Sequence, residues 1–207
     1  MKEMIAAKLA TRENKRRRIL TSALKLFARK GFEATALEEV ARSSRLAKGT
    51  LYLYFKDKED LYAQVVLDVL DRLEAFVADG LERSQGAIEK LHSVAECQLR
   101  FFSGNRDYFR LFSALLTTEA PLVHRRLISP LLEKRRRLES FLEGLVEEGK
   151  KEGVIRDDVE SPVVVYSYIG MVNQAVGRQC RDHGSPAEAD RTAAAVMSIL
   201  LSGVSPR

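Results

Sequence analysis

Apolar residues recur at spacings of three and four along residues 12–30, which is the periodicity of an amphipathic helix. The apolar positions are Ile19, Leu20, Ala23, Leu24 and Phe27. Gly31 follows at the position where a left-handed residue ends a helix, and Phe32 can fold back onto the last turn. The pattern predicts a first helix that ends at residue 30. We expect residues 1–11 to form a flexible arm.

Two short helices are predicted after the first one. The segment Thr35-Ala-Leu-Glu38 has the form of a capping box, in which the Thr hydroxyl and the Glu carboxylate accept hydrogen bonds from main-chain amides. The pattern predicts a second helix from about residue 36 to 43 or 44, and a third from about 47 to 54. Because helices this short are not stable alone, they must pack on the first helix in a three-helix unit.

The remainder of the chain is also predicted to be helical. Asp57-Lys-Glu-Asp60 places acidic residues at the positive end of a fourth helix, which ends at Gly80. Pro130 is expected to kink or divide the third of the helices that follow. Those further helices are predicted at 87–103, 106–117, 121–151, 161–182 and 186–203. Since no convincing period-two pattern occurs, the expected fold class is all-α, with about nine helices.

The positive charge of the chain is concentrated in its first quarter. The net charge is +5, and residues 1–60 contain 15 Lys or Arg against 8 Asp or Glu, whereas residues 61–207 contain 19 against 21. A basic head on a nearly neutral body is typical of a protein whose head binds phosphate. A length of 207 residues leaves room for a small basic module and a larger helical domain.

Several classes of protein are disfavoured by the sequence. No apolar run approaches the roughly 20 residues of a membrane span, and the amino terminus lacks an apolar signal core, so we expect a cytoplasmic protein.

Cys97 and Cys180 have no metal-type spacing and are interpreted as small buried hydrophobes, with a redox role as the alternative. An enzyme is not expected, because no catalytic motif occurs and His92, His124 and His183 lie apart.

Two short helices joined by a tight turn, the second bearing polar and aromatic residues, form a helix-turn-helix. Residues 19–62 resemble the DNA-binding domain of the TetR (tetracycline-repressor) family of bacterial transcription regulators, most specifically in the segment KGTLYLYFKDKEDLY. The resemblance assigns the DNA-binding motif to residues 35–58 and the DNA-binding domain to 1–57. Residues 58–207 would then form a helical domain for ligand binding and dimerisation.

The function that this resemblance implies is ligand-responsive control of transcription. Such a protein binds a palindromic operator in double-stranded DNA as a homodimer, represses by default, and is released by a small-molecule effector. Two alternatives remain open: a regulator that needs no ligand, and an architectural DNA-binding protein. No metal or other cofactor is expected.

The resemblance also implies which residues contact DNA. Lys48 and Gly49 would begin the recognition helix, where a Lys can donate to guanine or to a phosphate and a Gly lets the backbone approach. Surrounding hydroxyls and cations would position this helix on the phosphates. The expected DNA-binding residues are Thr35, Arg45, Lys48, Gly49, Thr50, Tyr52, Tyr54 and Lys58.

Two residues of the motif depart from the family pattern. Arg45 stands where Gly is usual, so it must adopt a left-handed conformation or the turn must differ, at a cost of about 1 to 3 kcal/mol. Ala47 replaces a Ser or Thr cap, at a cost of about 1 kcal/mol. We expect Arg45 to compensate by contacting a phosphate. The basic run at 15–18 fits either a DNA contact or a solvated face, and the run at 134–137 is interpreted as a solvated face.

The helical body is expected to bind the effector and a second subunit. Clustered aromatic residues, with polar groups on an otherwise apolar helix, suggest a pocket for a neutral or anionic apolar ligand such as a fatty acyl compound. The expected ligand residues are Phe102, Tyr108, Phe109, Phe112, Tyr166 and Asn173. By resemblance, the last two helices form the dimer interface, through Ile169, Val172, Val176, Ala193, Val196, Met197 and Leu200. Packing within one chain is the alternative for both sets.

Overall fold

The structure, a computed structural model, describes residues 1–117, 121–182 and 185–204, and gives only the backbone for residues 2–7, 112–117, 121–124 and 204. Throughout these ranges the regular structure is helical, as the hydrophobic pattern predicts. The helices are α1 (Lys2–Lys30), α2 (Leu37–Ser43), α3 (Lys48–Leu51), α4 (Lys58–Leu81), α5 (Gly86–Gly104), α6 (Arg106–Thr117), α7 (Pro121–Lys151), α8 (Ser161–Arg181) and α9 (Pro186–Val204).

The helices from α5 to α9 begin and end within one residue of their predicted bounds. α7 continues through Pro130 without a break, so Pro130 does not divide this helix, and a kink at Pro130 stays a prediction. A proline removes one main-chain hydrogen bond from a helix, and the turns on either side of residue 130 are long enough to keep α7 whole.

Among the described residues, no helix combines the length and apolarity needed to cross a bilayer.

α1 is longer than predicted because it includes the segment expected to be a flexible arm. It begins at Lys2, and residues 2–11 contain no Gly or Pro and are rich in Ala, Lys, Leu and Met, which favour helix. The predicted end is confirmed. Gly31 has a φ of 80°, and its amide donates to the Phe27 carbonyl at 2.9 Å.

α2 begins without a side-chain cap. Ala36 occupies the N-cap position, whereas the Thr35 hydroxyl donates to the Gly31 carbonyl at 2.8 Å. The Glu38 carboxylate pairs with Lys48. The predicted capping box is therefore wrong, because Thr35 lies one residue before the cap position and bonds back to the end of α1.

The chain divides into two compact units. Unit 1 comprises Met1–Leu70 and Arg110–Pro130, and unit 2 comprises Asp71–Phe109 and Leu131–Arg207. This division differs from the predicted boundary at residue 57. The boundary between the functional domains themselves stays a prediction.

Aromatic packing explains why unit 1 extends beyond residue 57. The Tyr62 ring of α4 lies 5.0 Å from the Phe27 ring and 5.2 Å from the Phe32 ring, both with edge-to-face geometry. The Tyr62 hydroxyl donates to the Leu111 carbonyl at 3.4 Å. The first turns of α4 are therefore part of the core on which α1 and the two short helices pack.

The core of unit 2 is formed by α5, α7, α8 and α9. The buried Tyr168 hydroxyl of α8 donates to the Leu91 carbonyl of α5 at 2.7 Å. This core also contains residues that we expected at the dimer interface. Ile169 packs against it from a half-buried position, and the buried members of that set are Val172, Val176, Ala193, Val196, Met197 and Leu200.

The expected interface residues therefore pack within their own chain, which is the alternative left open for this set. α8 and α9 carry apolar residues on several faces, so the sequence pattern did not distinguish the stripe that faces the core from the stripe that faces outward.

Candidate nucleic-acid interface

Arg45 closes the turn between α2 and α3 in a left-handed conformation, with a φ of 53°. The Leu46 amide donates to the Ala41 carbonyl at 2.9 Å, and the Arg45 amide donates to the Arg42 carbonyl at 3.1 Å. These two hydrogen bonds define a Schellman motif, whose left-handed position is usually Gly. Of the two outcomes left open for this position, Arg45 adopts the left-handed conformation, and the turn keeps ordinary geometry despite the substitution.

The carbonyl of Ser44 ties this turn to α1. The Arg18 guanidinium donates to it at 2.7 Å, and the Ser44 hydroxyl donates to the Ala41 carbonyl at 3.0 Å. Ser44 itself is buried. The hydrogen bonds of Arg18 and Ser44 thus stabilise the left-handed turn, and neither bond involves the side chain of residue 45.

α3 is a single helical turn that continues into looser structure. It begins after Ala47, which provides no side-chain cap, as predicted. Beyond α3, the Leu53 amide donates to the Thr50 carbonyl at 3.2 Å and the Tyr54 amide donates to the Leu51 carbonyl at 2.9 Å. Regular helix is therefore shorter than the predicted span of 47–54, although the chain keeps turning to residue 54.

The segment from Lys48 to Phe55 has one buried side and one exposed side. Leu51 and Phe55, four residues apart, are buried, and they anchor the segment to the three-helix core. The opposite side is exposed and consists of Lys48, Gly49, Tyr52 and Leu53. We call these four residues the recognition face.

Three members of the recognition face were predicted DNA contacts, namely Lys48, Gly49 and Tyr52. Thr50 and Tyr54, also predicted, are half-buried beside this face. The Arg12 guanidinium carbon lies 6.0 Å from the centre of the Tyr54 ring. The structure therefore gathers five of the eight predicted residues into one short segment, and three of them are exposed.

The Lys48 ammonium forms an ion pair with the Glu38 carboxylate of α2. The hydrogen bond from Lys48 holds the pKa of Glu38 below its ordinary value, and the same bond raises the pKa of Lys48. Both side chains are exposed. A partner that uses the Lys48 charge must therefore compete with Glu38.

Thr35 and Lys58 are engaged within the chain. Thr35 is 2% exposed and its hydroxyl is bonded to α1. The Lys58 ammonium donates to the carbonyls of Phe32 at 3.0 Å and Glu33 at 3.1 Å, and it lies 4.4 Å from the centre of the Phe32 ring. In this structure, the hydrogen bonds of Thr35 and Lys58 stabilise the segment after α1. Neither side chain is placed to make the phosphate contact predicted for it.

The start of α4 is held by acidic residues, as predicted. The Asp57 carboxylate accepts a hydrogen bond from the Asp60 amide at 2.8 Å, and the Asp60 carboxylate accepts one from the Lys56 amide at 2.9 Å. Arg126 of α7 contacts both carboxylate oxygens of Asp57, one of them at 2.8 Å. The Arg126 hydrogen bond is the main reason that the pKa of Asp57 falls to about 2.

Leu53 was not among the DNA-binding residues predicted from the sequence, and its side chain is 75% exposed. The spacing in the sequence could have identified it, because Leu53 is four residues after Gly49 and therefore falls on the same side of a helical segment. An apolar side chain this exposed, beside Tyr52, gives the recognition face an apolar element as well as a cation.

The expected ligand residues whose side chains are described fall into more than one group. Phe102 and Tyr108 belong to an aromatic cluster around Phe101, with ring centres 5.4 and 5.1 Å from it, and Phe109 packs against the unit 2 core. Tyr166 is 60% exposed and Asn173 is also exposed, so neither polar side chain is enclosed within a single chain. The side chains of Phe112, His124 and His183 lie outside the described residues.

Both cysteines are free and half-buried. Burial raises the pKa of Cys97 above its ordinary value and raises that of Cys180 to about 11. Thiols with raised pKa values are mostly protonated near neutral pH and are weak nucleophiles. These environments favour the packing interpretation over a redox role.

Comparisons with known proteins agree with this geometry. Residues 19–65 match the family model described as bacterial regulatory proteins, tetR family. Residues 84–204 match the model described as tetracyclin repressor-like, C-terminal domain. The first match contains the whole recognition face, and the second covers more than half of the chain.

Individual relatives point to the same group. The fatty acid metabolism regulator protein of Bacillus subtilis is 22% identical over 76% of this chain and 79% of its own length. The biofilm operon icaADBC HTH-type negative transcriptional regulator IcaR of Staphylococcus aureus is 31% identical over 49% of this chain and 53% of its own. The crystal structure of FadR from B. subtilis in complex with stearoyl-CoA has a TM-score of 0.75 at 20% identity, covering 90% of this chain and 98% of the other.

The left-handed turn, the exposed face of the segment after it and the two family matches lead to one identification: this chain belongs to the tetR family of bacterial regulatory proteins, whose members are DNA-binding transcription regulators.

Proposed function

We propose that this protein is a repressor that binds a palindromic operator as a homodimer in the bacterial cytoplasm and is released by an apolar acyl-type effector. The observation that carries the proposal is the recognition face, in which Lys48, Gly49, Tyr52 and Leu53 are exposed together on the segment after the turn. The negative role of the IcaR relative supports repression.

The recognition face suits the major groove of DNA in size and chemistry. The groove is about 12 Å wide and accepts one helix, and its base edges offer acceptors to a Lys and methyl groups to an apolar side chain. Lys48 supplies the donor and Leu53 supplies the apolar contact. Gly49 has open space around its Cα, so the helix backbone can approach the bases there.

Reading a palindrome requires two copies of a module this small. We assign the dimer interface to the outward faces of α8 and α9 in place of the buried residues expected from sequence. Val163 and Tyr166 of α8 and Ile199 of α9 are large apolar residues that are exposed in one chain. Gly170 of α8 and Ala195 of α9 are small and exposed as well, which permits helices to approach closely.

An acyl-type effector is supported by two relatives and by the composition of unit 2. One relative is named for fatty acid metabolism, and the similar FadR structure contains stearoyl-CoA. In unit 2, Phe76, Phe102 and Tyr108 surround Phe101 at ring distances of 5.9, 5.4 and 5.1 Å. Aromatic residues of this kind are common in the binding sites of apolar ligands.

Two steps test the proposed function. Duplexes that bind the purified protein are first selected from a random pool, and we expect the selection to converge on an inverted repeat. Stearoyl-CoA is then added to the complex with that duplex, with free coenzyme A as the matched control, while fluorescence anisotropy reports the bound fraction. We expect release by stearoyl-CoA alone. A pool that does not converge refutes sequence-specific regulation, and a complex that is indifferent to both compounds refutes the acyl-type effector.

A further inference from the structure

A groove of about 620 Å³ lies in unit 1 between α1 and the turn that follows α2. It is separate from the recognition face, although the turn that borders it leads directly into α3. Its walls include Asn14, Arg17, Arg18 and Thr21 of α1 together with Ser43 and Arg45 of the turn region.

The charge of this groove is uncompensated. Three guanidinium groups line it, and none of the described lining residues is acidic. The carboxylate nearest along the chain, that of Glu13, lies 3.9 Å from Arg16, which is not among the lining residues. Arg18 is bonded to the neutral carbonyl of Ser44, a contact that fixes its position but does not cancel its charge.

The neutral groups of the groove are also suited to an anion. Asn14, Thr21 and Ser43 can each donate a hydrogen bond through an amide or a hydroxyl. Phosphate oxygens accept hydrogen bonds from such groups and pair with guanidinium ions in a planar, two-pronged geometry. Like charges that line one concavity repel each other, and a bound phosphate would relieve that repulsion.

We propose that this groove binds a backbone phosphate of the DNA duplex that the recognition face reads. Arg45 is only three residues before Lys48, so the groove adjoins the recognition face along the chain. The basic run at residues 15–18 then has a role, because two of its four residues form one wall of the groove. This proposal rests on the proposed function, since it adds a contact to α1 in the same complex.

The salt dependence of operator binding tests the proposal. The logarithm of the association constant falls with the logarithm of salt concentration by about 0.9 per neutralised phosphate. Because each subunit of the dimer contributes one such contact, we expect Arg17→Ala to remove two contacts per operator and to make this slope shallower by up to about 1.8. Arg83→Ala, which removes an equal charge from an exposed position in unit 2, is the matched control and should leave the slope unchanged.

Replacing single phosphates of the operator with neutral methylphosphonates locates the contact. Wild-type protein should lose affinity at one phosphate position in each half-site, and Arg17→Ala should be insensitive to replacement at that position. A slope for Arg17→Ala equal to that of Arg83→Ala, with unaltered methylphosphonate sensitivity, would overturn the proposal while operator binding itself stands. If the wild-type protein binds no discrete operator at all, the proposed function fails first, and that result is distinguishable.

Discussion

The guanidinium of Arg18 donates a hydrogen bond of 2.7 Å to the main-chain carbonyl of Ser44, so α1 directly supports the residue that precedes the left-handed Arg45. Arg45 has a φ of 53°, a conformation that costs an L-residue roughly 1 to 2 kcal/mol. The Schellman hydrogen bonds and the Arg18 contact together maintain a turn geometry that Gly would adopt without strain. The phosphate contact proposed above for Arg45 would give this costly residue a use.

Arg45→Gly should change the stability of the protein and its affinity for the operator in opposite directions. Removing the strained side chain should raise the free energy of unfolding by about 1 kcal/mol, as measured by urea denaturation. The same variant should bind the operator more weakly, because a guanidinium of the proposed phosphate groove is lost. Arg42→Gly, in the last turn of α2, is the control and should destabilise by about 1 kcal/mol. A destabilised Arg45→Gly variant would contradict the strain assignment.

Glu38→Gln should strengthen operator binding. The substitution removes a negative charge beside the recognition face and frees Lys48 from its ion pair, so we expect an affinity gain of about two- to fivefold at low salt, typical of one exposed charge pair. High salt should diminish the gain, because exposed charges are screened. Glu82→Gln, an exposed residue of unit 2, should have no effect. Weaker binding by Glu38→Gln would indicate that Glu38 positions Lys48 for DNA.

Leu53 should read thymine methyl groups. Burying one methyl or methylene group is worth about 0.8 kcal/mol, which corresponds to roughly fourfold in affinity. In the selected operator, replacing each thymidine with deoxyuridine should reveal a position at which wild-type protein loses about that much and Leu53→Ala loses nothing further. Leu132→Ala, an exposed leucine of α7, should retain the wild-type methyl preference. Equal uracil sensitivity in both variants at every position would exclude a methyl contact by Leu53.

Ile199→Asp should produce a folded monomer. Ile199 is 66% exposed in one chain, so a charge there should not disturb the unit 2 core, but it would be unfavourable inside a dimer interface. Sedimentation velocity should show half the wild-type mass, with an unchanged circular dichroism spectrum. Leu132→Asp supplies the control and should stay dimeric. A dimeric Ile199→Asp protein would place the interface elsewhere.

The sequence predicted the helices well because their signals are local. Apolar spacing and the terminating Gly and Pro residues determined the bounds of α5 to α9 to within one residue. The left-handed turn was also predictable, since the family pattern identified Arg45 as an unusual residue at that position. The capping box was not, because Thr35 satisfies the pattern equally well by bonding back to Gly31.

The sites in the body were harder to predict because several faces of the same helices are apolar. On α8, Val172 and Val176 are buried whereas Val163 and Tyr166 are exposed, and composition does not distinguish these two stripes. Lys58 shows the same difficulty for a charged residue. Its ammonium bonds to carbonyls that are 25 and 26 residues away along the chain, and such a tertiary contact leaves no local pattern.

Hydroxyl-radical footprinting of the wild-type protein on its selected operator tests most directly whether the recognition face reads DNA in pairs. We expect two protected patches related by a two-fold axis, with centres one helical turn, about 34 to 36 Å, or a whole multiple of that distance apart. Protection spread evenly along the duplex, or confined to a single patch, would contradict a dimeric reader of a palindromic operator.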